Sequence, residues 1–93
     1  MVAVAVESSE EGPDLRDAAL AAFERWRKAL AGAFQAAGVE AARADELGML
    51  VIAAFEGALI LSRTCRDLAP LETVHREVRG LVQAELAKSK EQT

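Results

Sequence analysis

From Leu47 to Leu61 the chain reads Leu-Gly-Met-Leu-Val-Ile-Ala-Ala-Phe-Glu-Gly-Ala-Leu-Ile-Leu, and Glu56 is the single charged residue in that run. At 100° per residue, Leu47, Leu50, Val51, Ala54, Ala58, Leu61 and Cys65 fall on one stripe, while Met49, Ile52, Leu59 and Ile60 fall outside it. A surface helix has one apolar face and one polar face, so a helix that is apolar on several sides needs cover on several sides. The pattern predicts a helix from about residue 41 to residue 66 that takes part of its cover from a second molecule.

The flanking segments are patterned differently. Leu15, Ala19, Ala22, Phe23, Trp26, Ala29, Leu30, Ala33 and Ala37 share one face, with Phe34 at its edge and Asp17, Glu24, Lys28 and Gln35 opposite. This spacing predicts an amphipathic helix over 14–37, with Pro13 in its first turn and Gly38 closing it. Pro70 opens a further helix to about Ala87, with Leu71, Val74, Val78, Leu81 and Leu86 inward; Ser89 to Thr93 is a polar tail expected to fray. Val2 to Val6 alternates Val and Ala, yet no other segment offers a strand partner, so it reads as the last turns of a helix, followed by a loop over Ser8–Pro13. The expected fold is all-α, in one domain over residues 1–93: three main helices plus a short N-terminal helical remnant.

Composition sharpens the need for a partner. The 93 residues are 52% hydrophobic but only 4% aromatic, and the abundant alanine favours helix while adding little core volume. Small cores are held by disulfides, metals or oligomerisation. One cysteine and one histidine provide neither a disulfide framework nor a closed zinc site within one chain, which leaves self-association. A net charge of −4 argues against a phosphate-binding surface. The N-terminus lacks a basic n-region and its apolar run ends at Glu7, so no signal peptide is expected; the central run, broken by Glu56, is too short to span a bilayer. The reading is a soluble, cytoplasmic protein without a cofactor.

Candidate chemistry is sparse. Cys65 and His75 lie on different expected helices, no Ser-His-Asp context surrounds them, and no glycine-rich phosphate loop follows a strand, so no catalytic residues are assigned. Cys65 reads as a small buried hydrophobe and His75 as a solvated helix residue. Glu56 asks for an explanation, because a buried carboxylate must be paired, protonated or near an opening. Arg63 lies two turns later on nearly the same side, roughly 10 Å along the axis. Two readings of this pair stay open: a structural ion pair or helix cap, and recognition of a cationic or hydrogen-bonding effector. Trp26 and Phe23 read as core rather than as a ligand-stacking pair; for Gly48 and Gly57 two readings stay open, close approach of a neighbouring backbone and glycines simply tolerated within the helix.

The order of features resembles a known family. Phe23-Glu-Arg-Trp26, Leu30, Ala37-Gly38-Val39, Ala42-Arg43-Ala44, Phe55-Glu56-Gly57-Ala58-Leu59, Ser62-Arg63, and Arg66-Asp67 followed by Pro70-Leu71 are together similar to the C-terminal domain of TetR-type transcriptional repressors, in the branch typified by LmrA and YxaF. The resemblance covers residues 2 to 83. It implies an all-helical regulatory domain that pairs with a second subunit as a four-helix bundle, in proteins where an N-terminal helix-turn-helix binds an operator and a small molecule releases it. This sequence has no helix-turn-helix, so no DNA contact is carried over to it.

The residues expected at a homodimer interface are Leu15, Phe23, Trp26, Leu30, Leu50, Ala54, Gly57, Ala58 and Leu61, with helices 14–37 and 41–66 building it. The alternatives are a stand-alone partner that heterodimerises with a full-length repressor, and a helical module that binds an apolar ligand. No metal site and no membrane partner are expected.

Overall fold

The computed structural model describes residues 13–91, and the order of elements there is α1 (Pro13–Ala36), α2 (Ala41–Cys65) and α3 (Ala69–Glu91), with no strand among the described residues. The helical remnant expected at Val2–Val6 lies outside them. Helix α1 ends where Gly38 takes φ +103°, and the Gly38 amide then donates to Gln35 O (2.9 Å) while the Val39 amide donates to Phe34 O (3.0 Å). These two bonds satisfy carbonyls that the last turn would otherwise orphan. Helix α2 starts at once, its first amides capped by the Glu40 carboxylate, which accepts from Ala42 N (3.1 Å) and Arg43 N (3.2 Å). It ends one residue earlier than expected, because Arg66 adopts φ +52° and both Arg66 N and Asp67 N donate to Ser62 O. Asp67 Oδ1 accepts from Ala69 N (3.0 Å) and so starts α3.

Both connections are short, so α2 runs antiparallel to α1 on one side and to α3 on the other. Close contact with α1 is set by Gly48: a Cβ there would lie 3.2 Å from the Arg27 carbonyl oxygen and 3.5 Å from the Ala31 amide nitrogen. That is the first of the two readings of this glycine, close backbone approach. On the other side, the Ser62 hydroxyl is buried and accepts from Leu71 N at 3.3 Å. One end of the assembly is closed by Ala31, Phe34, Val39, Ala44 and Leu47, with Leu30, Val51, Val82 and Leu86 packed against them.

Away from that end the three helices lie side by side in one layer. The Cα framework measures 48 × 31 × 12 Å, and 12 Å is too thin for two stacked layers of helices whose axes sit 8–10 Å apart. The radius of gyration is 15.2 Å, against about 12 Å for a compact chain of this length.

Several expectations are corrected. The segment from Ser89 does not fray before Glu91: α3 continues through it, and Ser89 is buried against Gly38, its Oγ 2.7 Å from where a Cβ on that glycine would sit. Leu81 is exposed and Val82 takes its place in the core, since α3 is rotated by part of a turn from the orientation its leucines suggested. Cys65 is exposed at the end of α2 rather than buried. Trp26 is 48% exposed rather than core, because α1 seats Ala31 and Phe34 inward and leaves the other edge of its apolar stripe open. His75 is exposed, as expected.

Candidate functional site

The largest unexplained feature of this layer is its uncovered apolar surface. Helix α2 buries Ala44, Leu47, Gly48, Ile52, Ala58 and Ser62 against its neighbours. On its other side Met49 (52%), Leu50 (45%) and Leu61 (55%) stand exposed. Leu50, Ala53, Ala54, Gly57, Ile60, Leu61 and Thr64 recur at three- and four-residue steps, so they share that side. Among the described residues, nothing beyond its own turn of helix comes within 4 Å of a Cβ placed on Gly57, so this glycine is a notch in an open face.

The expected interface residues therefore separate into groups. Leu15, Trp26, Leu50, Gly57 and Leu61 are exposed; Phe23, Leu30 and Ala54 are half-buried. Ala58, at 2% exposure, faces inward and is already covered by its own chain, so it stands apart from the open face. The α2 stripe is thus split along its length. Helices α1 and α3 are turned towards Gly48 and Ala44 rather than towards the stripe's centre, and one edge (Leu50, Leu61, Cys65) is left outside. Met49, Ala53 and Ile60 also belong to the open face and were not among the expected contacts. The signal for them was the lack of charge between Met49 and Ser62 except at Glu56, which leaves α2 without a polar side there.

Glu56 and Arg63 are placed in different hollows. Glu56 is half-buried and lines an open groove of about 450 Å³ with Trp26, Ala29, Leu30, Val51, Ile52 and Phe55. Arg63 is exposed and borders a second hollow with Leu59, Ser62, Arg66, Asp67, Leu68 and Leu71.

Two arginines form ion pairs across the seams between helices. Arg27 donates to Glu24 (2.7 Å) and Asp45 (3.0 Å), tying α1 to the start of α2. Arg43 donates to Glu46 (3.2 Å) and, from Nε (3.1 Å) and Nη2, to Glu85 Oε1, tying α2 to α3. The hydrogen bonds from these guanidinium groups hold the Glu24 and Glu85 carboxyls below the usual glutamate value, and each arginine is correspondingly harder to deprotonate. Among the described residues no cluster of His, Cys, Asp and Glu could hold a metal ion, and no helix is long and apolar enough to cross a membrane.

Comparison with known proteins places the chain in a family. The family model described as "Transcriptional regulator LmrA/YxaF-like, C-terminal domain" matches residues 1–77. Two curated proteins, both described as uncharacterized HTH-type transcriptional regulators, come from the CDC 1551 / Oshkosh and ATCC 25618 / H37Rv strains of Mycobacterium tuberculosis. Each is 43% identical over 91 residues, covering 92% of this chain and 47% of the relative. The chain thus spans about half the length of the curated relatives it matches. No solved structure matches it significantly.

Proposed function

Because the chain belongs to the LmrA/YxaF-like C-terminal domains of TetR-type transcriptional regulators, we propose that it is the part of such a regulator that joins two subunits. It carries no catalytic role, and its own contacts with nucleic acid are none. The observation that supports this most is the single layer of helices with its charge-free outer face on α2. Stable domains pack two layers around a core, and a second copy supplies the missing layer. Pairing across the face would form the intersubunit four-helix bundle that the family resemblance implies.

Multi-angle light scattering on the purified chain tests the proposal. The expected result is twice 9.9 kDa at micromolar concentration, and a compact, heat-stable monomer at that concentration overturns it.

A second reading draws on the groove beside Trp26, Phe55 and Glu56. Its apolar walls and single carboxylate suit a small apolar ligand bearing a cation or a hydrogen-bond donor. A thermal-shift screen with hydrophobic cations, and fatty acids as the contrast, checks it; uniformly unchanged melting removes its support.

A further inference from the structure

The hollow where α2 turns into α3 lies apart from both surfaces discussed so far. It measures about 340 Å³ and shares no lining residue with the groove beside Trp26 and Glu56. Two of its residues, Leu59 and Arg63, sit about 160° and about 120° around α2 from Gly57, so a second copy seated on the open face leaves it uncovered. We propose that this hollow binds a small organic carboxylate with a hydrocarbon tail, its head held by Arg63 and Arg66 and its tail laid over Leu59 and Leu68. The site goes beyond the dimer reading and does not depend on it.

The polar groups of the hollow are donors without acceptors. Arg27 and Arg43 each pair with two carboxylates, whereas the Arg63 and Arg66 guanidinium groups make no ion pair or hydrogen bond among the described residues. Ser62 is 7% exposed; its hydroxyl is seen only as an acceptor, from Leu71 N at 3.3 Å, which leaves its proton to give. The carboxylate that borders the hollow, Asp67, is engaged through Oδ1 by the Ala69 amide at 3.0 Å. The first turn of α3 adds the positive end of a helix dipole. The remaining walls are apolar and uncovered, with Leu59 at 38% and Leu68 at 65% exposure. An inorganic anion would leave these leucines wet, and a neutral hydrocarbon would leave the guanidinium groups unanswered. A carboxylate with a tail satisfies both.

The backbone points the same way. Arg66 adopts φ +52° and ψ +46°, a left-handed conformation that is costly for a side chain and usual for glycine at a helix end. The sequence places there the second guanidinium of the hollow. Backbone strain of this kind gathers where a site needs a particular side chain.

Isothermal titration with octanoate, acetate and 1-octanol tests the site. Octanoate should bind saturably at a single site per chain, at least about tenfold tighter than acetate or 1-octanol. Arg63→Gln and Arg66→Gly should each weaken octanoate at least about fivefold. Arg66→Gly should do so with Tm equal to or above that of the parent, because glycine relieves the backbone. Trp26, the single tryptophan, lines the other groove, so its fluorescence should not follow the titration. Absence of saturable octanoate binding overturns the proposal, as does acetate or 1-octanol binding equally well. A Trp26 signal that tracks octanoate puts the ligand in the other groove and overturns it too. So do unchanged affinities in the folded arginine variants, or a lowered Tm in Arg66→Gly, which would make Arg66 a structural residue of the turn.

Discussion

Replacing Gly48 by alanine opposes two effects of known size within one residue. In a helix interior, Gly→Ala is favourable by about 1 kcal/mol, through lost backbone freedom in the unfolded chain. At Gly48 the new methyl would sit 3.2 Å from the Arg27 carbonyl oxygen, 3.5 Å from the Ala31 amide and 3.6 Å from Leu30 Cβ, whereas ordinary contact begins at 3.4 Å. The tightest neighbour is backbone in another helix, so α1 must shift as a body rather than one side chain swinging aside. Such overpacking costs about 1–3 kcal/mol. The net effect is between neutral and about 2 kcal/mol destabilising. Gly32→Ala on α1 is the reference, since a Cβ there meets nothing within 4 Å and only the helix term applies. Thermal melts followed by circular dichroism at one fixed protein concentration should raise Tm by about 4–8 °C for Gly32→Ala. For Gly48→Ala, Tm should stay unchanged or fall by up to about 15 °C. If Gly48→Ala raises Tm as much as Gly32→Ala does, α1 and α2 do not approach at this residue and the account of their packing is wrong.

Three further outcomes follow from the same contacts. The Glu85 carboxyl is held below its ordinary 4.5 by the hydrogen bond from Arg43, so its stabilising contribution is complete above that value and is lost as pH falls through the lower, folded one. Glu85→Gln should therefore melt below the parent at neutral pH and converge with it as the pH falls below the folded-state value; parallel curves throughout would show that the ion pair does not hold α3. Gly38→Ala should cost about 1–3 kcal/mol, because φ +103° disfavours any side chain and Ser89 Oγ occupies the space. Adding Ser89→Ala should recover only the crowding part, and full recovery in a double-mutant cycle by urea melts would show that the backbone angle is innocuous. Leu47→Ala, at a fully buried position, should cost about 2–5 kcal/mol; Leu61→Lys, at 55% exposure, should leave helicity intact while weakening self-association, and the reverse ranking in melts and light scattering would place the core on the wrong face of α2.

Much of the fold could be read from the sequence because its punctuation is local. Gly38 ends α1, the apolar run carries α2, and Pro70 marks the opening of α3; each acts within a few residues. The orientation of each helix about its own axis depends on the neighbours' shapes instead. The apolar stripe of α1 could equally have faced Trp26 or Phe34 inward, and the deciding feature is Gly48, a residue in another helix. Ser89 was misjudged for the same reason: its cover comes from a glycine some fifty residues away (Gly38), and composition alone marks the segment as a loose tail. On the candidate face, Leu50, Gly57 and Leu61 could be placed by periodicity, whereas Ala58 could not be told from them, since it lies on the same stripe and only the position of the flanking helices turns it inward.

The hydrophobic cluster that gathers Phe34, Val39, Leu47 and Leu86 sits at one extremity of the molecule, and at the other extremity the turn after Cys65 and the bond from Leu71 N to the Ser62 hydroxyl fasten α3 to α2 a second time. The two outer rods are thus held unequally. One is stitched to the middle rod at head and foot; the other is clamped beside Gly38 and Gly48, while its first turns carry the half-exposed Leu15 and Leu20. A load applied to the layer would meet a stiff pair on one side and a hinged strut on the other.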